Sequence, residues 1–215
     1  MNAETARIFE ELFVRHPALD ACRADVSAAF DLLLGAFRGG GKLLVCGNGG
    51  SAADAEHIVG ELMKSFKRRR PVPARIAAAL EAQGPGGAAL VDRLEGALPA
   101  VSLVSMSGVV TAFANDVAWE TAYAQQVLGL AREGDALLAI STSGNSANCV
   151  AAARVAHAVG ARSLALTGGR ESTLSKVCDV VVRVPETETF KVQELHLPLY
   201  HALCAMLEAE MFQSA

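Results

Sequence analysis

The chain has few aromatic residues, no paired cysteine motif, no excess of positive charge and no long apolar run. Aromatics make up 5% of the 215 residues, too few for a surface that stacks nucleic-acid bases. The net charge of −4 gives no general attraction to a polyanion, so nucleic acid is not an expected partner. Without some 18 consecutive apolar residues, no membrane-spanning helix is expected. The opening MNAETARIFEEL lacks the basic-then-apolar pattern of a secretory signal. Five cysteines (Cys22, Cys46, Cys149, Cys178, Cys204) are odd in number and scattered, which suits reduced thiols in a cytoplasm. Neither GxxxxGK[ST] nor GxGxxG occurs, so a nucleotide P-loop and a dinucleotide fold have little support.

What is present is organised around residues 42–61, KLLVCGNGGSAADAEHIVGE. Residues 42–46 fit a buried parallel strand. Gly47, Gly49 and Gly50 allow a sharp turn and close approach to a ligand. Ser51 occupies the position of a helix N-cap, with Asp54 and Glu56 in the first turns. Such a helix start favours an anion, typically a phosphate. His57 and Glu61 follow at i, i+4, on one helix face.

The rest of the chain alternates strand and helix. Residues 3–39 read as a helical hairpin, its second helix running from Leu19 to Phe37 and stopped by three glycines. The first core helix ends near Phe66. The run Lys67-Arg68-Arg69-Arg70 then reads as a solvated helix end, where cations suit the dipole. Residues 72–99 differ in composition and read as an insertion of two short helices around Gln83-Gly84-Pro85-Gly86-Gly87. Further strands are expected at 100–105, 136–140, 163–167 and 180–184. A long helix is expected from about Thr189 to Phe212, carrying Gln193, His196 and His201, with no role evident for His196. This order implies one α/β domain over residues 1–215, a doubly wound parallel sheet with ligands beyond its strand C-termini. Both polar loops, GNGGS and STSGNS, fall there. Ser141, Thr142, Ser143 and Ser146 offer hydroxyls at a helix start, a phosphate cradle without a lysine.

GNGGSAADAEH, LAISTSGNSANCV, LALTGG and VQELHLPLYH together resemble the sugar isomerase domain (SIS) family, nearest to its phosphoheptose isomerases. The similarity spans roughly residues 5–70 and 99–212. The resemblance implies a five-stranded parallel sheet and a homotetramer with active sites at subunit interfaces. It implies an aldose–ketose isomerase acting on sedoheptulose 7-phosphate. Carried over by motif, Asn48, Gly49, Gly50, Ser51, Ser141, Thr142, Ser143, Ser146 and Gln193 would bind substrate, and Asp116 would hold sugar hydroxyls. Glu61 would be the general base and His201 its acid/base partner. His57, Glu61, Gln193 and His201 would hold a zinc ion. Gln193 and His201 lie about 12 Å apart along a straight helix, with Pro198 between them to bend it. The chain departs from the family at the 72–99 insertion and at Phe190-Lys191-Val192. A related branch associates with replication initiators, so a non-catalytic binding module, or an isomerase for another phosphosugar, is the alternative.

Overall fold

The computed structural model describes residues 1–212. Helix α1 (Ala3–Arg15) starts at Asn2, whose Oδ1 accepts from the Thr5 N–H at 2.8 Å, and buries Ile8, Phe9, Leu12 and Phe13 on one face. The second helix begins later than expected. Pro17 opens a 3-10 turn (Pro17–Cys22), and α2 runs Arg23–Arg38. Strand β1 (Leu43–Gly47) leads into α3 (Gly50–Met63). Helices α4 (Ala74–Glu81) and α5 (Pro85–Val91) fill the 72–99 segment. Then come β2 (Ala100–Ser102), α6 (Ser107–Asp116), α7 (Ala122–Leu130) and β3 (Ala136–Ile140). Helix α8 (Ala147–Ala158), β4 (Arg162–Thr167), α9 (Leu174–Val177), β5 (Val180–Arg183) and α10 (Thr189–Met211) complete the order.

All five strands are parallel, in the order β2-β1-β3-β4-β5. The strands are apolar along nearly their whole length because helices cover both faces. Leu43, Val45, Leu138 and Ile140 point into a core shared with α1, α2, α3 and α10. Leu44, Cys46, Leu137 and Ala139 point the other way, onto α7, α8 and α9. The chain steps from β1 to β2 on one side, then returns to place β3 on the other. The switch point is therefore between β1 and β3, where open α/β sheets form a crevice. The two polar loops follow these two strands.

Helix α10 lies beside α3 and runs in the same direction: Gln193 abuts Gly50, Tyr200 and His201 meet His57, and Glu208 reaches residues 66–70. Pro198 sits inside α10 without ending it.

The basic run is not a solvated helix end. Helix α3 stops at Met63, and Arg70 is fully buried. Its Nε donates to Glu208 Oε1 at 2.7 Å, while Nη1 and Nη2 donate to the carbonyls of Leu62 (2.6 Å) and Glu61 (2.9 Å). Those carbonyls belong to the end of α3, where a helix leaves acceptors unsatisfied. Glu208 also accepts from the backbone N–H groups of Phe66 (2.9 Å) and Lys67 (2.8 Å). Arg68 pairs with Glu4. The dipole preference is real, but it is met inside the protein, because both charges are fully hydrogen-bonded there.

Removing one partner of a buried, hydrogen-bonded ion pair typically costs about 3–5 kcal/mol. Arg70→Ala and Glu208→Ala are each expected to lower unfolding free energy by about that much in urea titrations. Losses below about 1 kcal/mol would place the pair among surface-type bridges.

Candidate active site

The GNGGS loop turns with Gly49 at φ +57, and Gly49 is the N-cap of α3. Ser51 is therefore not the cap. It is the second helical residue and 3% exposed, and no side-chain bond caps the helix. The positive φ at Gly49 brings the chain into the helix two residues earlier than expected, which suits glycine. Asp54 and Glu56 consequently fall beyond the first turn. Gly50 is needed for another reason. A Cβ there would come within 2.4 Å of Gln193 Nε2, so α10 packs directly on the loop.

The two loops are tied together. Asn48 Nδ2 donates to Asn148 Oδ1 at 2.8 Å, and Asn148 Nδ2 returns a bond to Asn48 Oδ1 at 2.9 Å. Asn48 thus joins β1's loop to the start of α8 rather than leaving its amide free. Asn148, 2% exposed, was not singled out from the sequence, where an Asn in an alanine-rich helix carries no signal. In STSGNS, the Ser141 and Ser146 hydroxyls lie 2.9 Å apart, and Ser143 Oγ accepts from the Asn145 N–H at 3.2 Å. Thr142, Ser143 and Asn145 line a cavity of about 170 Å³ with Gly168, Gly169 and Arg170. Asp116 ends α6, exposed, accepting from Asn115 at 2.8 Å, and bonds to neither loop among the described residues.

Helices α3 and α10 bring three of the expected catalytic and metal-ligating residues together. His57 Nε2 is 3.2 Å from Glu61 Oε1 and 3.5 Å from His201 Nε2. His57 Nδ1 is 3.0 Å from the Tyr200 hydroxyl. Lys64 Nζ donates to Glu61 Oε2 at 2.8 Å. Gln193 does not join them: it stands about two turns back along α10, beside Gly50. His201 opens onto a cleft of about 400 Å³ between α1, Phe66 and α10.

Burial raises the Glu61 carboxyl, but Lys64 and then His57 outweigh it and hold it below its usual range. Burial, then the His57 charge, depresses His201. A carboxylate ionised at neutral pH thus faces a largely neutral imidazole, a pairing suited to moving a proton between adjacent atoms. His196 has a purely internal place. It is fully buried, its Nε2 meets the Thr167 carbonyl at 3.4 Å, and burial takes its pKa down to about 4.

A tetrahedral zinc shell puts donor atoms roughly 3.3 Å apart. The two spacings at His57 Nε2 suit that chemistry, although among the described residues no three His, Cys, Asp or Glu converge into a formed metal site.

Residues 15–101 and 108–209 each match a family described as the SIS domain. The chain is 37% identical over 189 residues to a phosphoheptose isomerase of Burkholderia pseudomallei, covering 88% of this chain and 83% of that one. It is 38% identical over 187 residues to a phosphoheptose isomerase of Geotalea daltonii, covering 87% and 84%. Among solved structures, the phosphoheptose isomerase of Neisseria gonorrhoeae superposes with a TM-score of 0.72 at 31% identity, covering 96% of this chain and 94% of that one. That of Francisella tularensis gives 0.71 at 28% identity, covering 97% and 99%.

Asn148→Ala should remove both Asn48–Asn148 bonds, leave the Asn48 amide with only a weak 4.0 Å contact to Cys149 Sγ, and cost about 1–3 kcal/mol. Hydrogen exchange should then quicken in both loops together. Faster exchange confined to residues 145–150 would mean that the amide pair does not couple them.

Proposed function

Because the chain belongs to the SIS domain family, in its phosphoheptose isomerase branch, we propose that it is an aldose–ketose isomerase converting sedoheptulose 7-phosphate to D-glycero-D-manno-heptose 7-phosphate. The observation that carries this reading is the meeting of Glu61, His57 and His201 between α3 and α10.

The reaction moves one proton between neighbouring carbons through an enediol. Glu61, held ionised, takes the carbon-bound proton and returns it to the adjacent carbon. Its carboxylate starts deprotonated because Lys64 and His57 offset its burial. His201, neutral at pH 7, relays the proton between the two sugar oxygens. Ser141, Thr142, Ser143, Ser146 and the amides at the start of α8 take the phosphate, with Ser51, Gly49 and Gly50 on the opposite loop. Holding the phosphate away from the reacting carbons supplies orientation without adding charge at the enediol. Asp116 and Gln193 are assigned to sugar hydroxyls.

Zinc is proposed as the cofactor, with His57, Glu61 and His201 as its ligands, while Gln193, about two turns away beside Gly50, stands outside that group. When bound, it would polarise the carbonyl and favour the enediolate. Two imidazoles and a carboxylate are good donors for it, and a glutamine carbonyl is a weak one.

The assembly proposed is a homotetramer with sites at subunit interfaces. What supports it is the open cleft at His201, with exposed Val14 and Leu197 on the two helices that border it. No described helix is long and apolar enough to cross a membrane, and a cytoplasmic location is proposed.

Product formation followed by NMR on sedoheptulose 7-phosphate tests the reaction. No turnover, with or without added zinc, would leave a phosphosugar-binding module as the better account. Glu61→Gln should reduce kcat by at least 10³-fold, roughly the upper range for a general base. Phosphate-ester binding should survive, and its loss would make Glu61 a structural residue.

The pH profile has a definite sign. Both groups are depressed, His201 from 6.5 and Glu61 from 4.5, and both act deprotonated. The kcat/KM value should be flat near neutrality and fall on the acid side, starting below pH 6.5. A fall as pH rises through that value would reverse the role given to His201.

A further inference from the structure

Two members of STSGNS have no part in the scheme above, Gly144 and Asn145. Both are tied to the segment that follows β4. Gly144 has φ +65, and a Cβ there would come within 2.1 Å of Ser172 Oγ. Its carbonyl accepts from the Leu174 N–H at 3.0 Å. Asn145 Oδ1 accepts from the Thr173 N–H and from the Thr173 hydroxyl, each at 2.8 Å. Its Nδ2 donates to the Ser143 carbonyl at 3.0 Å. A backbone N–H can only donate and a carbonyl can only accept, so the amide has one way round. This one side chain joins the turn before α9 to the loop after β3.

The carbonyls of that loop are satisfied by different means. Ser141 accepts from the Gly144 N–H at 2.9 Å, and Thr142 accepts from the Gly168 N–H at 3.0 Å. Both are backbone bonds. The Ser143 carbonyl is held instead by the Asn145 side chain. Ser143 is exposed, so packing does not fix it. Its hydroxyl also has a defined state. Ser143 Oγ accepts from the Asn145 N–H at 3.2 Å and donates to no group among the described residues. Its hydrogen is therefore left to give away, and an anion in the cavity it shares with Thr142 and Asn145 can only accept. Ser141 and Ser146 differ, because their hydroxyls bond to each other at 2.9 Å and one of those two hydrogens is used within the pair.

We propose that Asn145 and Thr173 are positioning residues that hold Ser143 so that its hydroxyl hydrogen is presented to the phosphate of the substrate. This rests on the phosphate assignment made above for the STSGNS loop. Without the amide, the Ser143 carbonyl is free to turn to water, and the phosphate must order the loop as it binds. With the amide in place, that ordering is complete before the ligand arrives.

Inorganic phosphate titrated calorimetrically into the full chain reads the cradle directly, and kinetics with sedoheptulose 7-phosphate read its use. Asn145→Ala should weaken phosphate binding about tenfold and raise KM by a like factor, with a much smaller change in kcat. Thr173→Val keeps the side-chain shape, removes one bond and should cost about threefold. Thr173→Ser should restore the parent affinity. Action through Ser143 has its own signature: in Ser143→Ala protein, adding Asn145→Ala should weaken phosphate little further. Additive losses would mean that Asn145 supports the loop at large, and would overturn the proposal. So would unchanged affinity in whichever of Asn145→Ala and Thr173→Val folds, when Ser143→Ala alone weakens binding; the phosphate assignment would survive that result. A parent protein that binds no phosphate would remove the assignment and the proposal together. Phosphate binding that weakens as described, in a protein that does not turn the sugar over, would sustain the proposal and sink the isomerase reading.

Discussion

Everything at the reactive end of this molecule depends on the register between α3 and α10. The two helices lie side by side in the same direction, and three contacts fix their offset. Gln193 rests on Gly50 at one end, Tyr200 bonds with Asp54 and His57 in the middle, and Glu208 holds Arg70 at the other. A slip of one residue would turn a helix by about 100° and carry His201 away from His57. Glycine at position 50 sets how near the helices come. The buried arginine sets where α10 stops sliding, because its three bonds and the two backbone bonds to Glu208 cannot be remade one residue along.

The sheet makes a second contribution. Because β2 lies on one side of β1 and β3 on the other, the GNGGS and STSGNS loops leave neighbouring strands and face one crevice. The Asn48–Asn148 amide pair locks them across it. The phosphate end and the proton-transfer end are thus built by different means. Backbone turns and hydroxyls form the first, and two helix faces form the second.

The architecture was legible in the sequence because short apolar runs alternate with helical periodicity, and the polar loops announce strand ends. The i, i+4 spacing placed His57 and Glu61 on one face, and the motifs around His201 pointed to their partner. Other features were not legible, for identifiable reasons. Four consecutive basic residues are normally solvated, and nothing near them in sequence marks Arg70 for burial. Its partner Glu208 lies 138 positions away. Ser51 carries the chemistry of a cap, but Gly49, at positive φ, takes the cap position first. A proline ahead of the second helix tightens its entrance into a 3-10 turn, which periodicity alone does not resolve. Tyr200 and Asn148 act through hydrogen bonds to groups far along the chain, and no local pattern encodes that.

The order in which the parts are made has a consequence for biosynthesis. Glu61 leaves the ribosome early, on the first helix after the first strand. His201 arrives only after all five strands have been translated. A nascent chain can therefore gather its sheet and its ester-gripping loops while still chemically inert, and becomes reactive only when the closing helix docks.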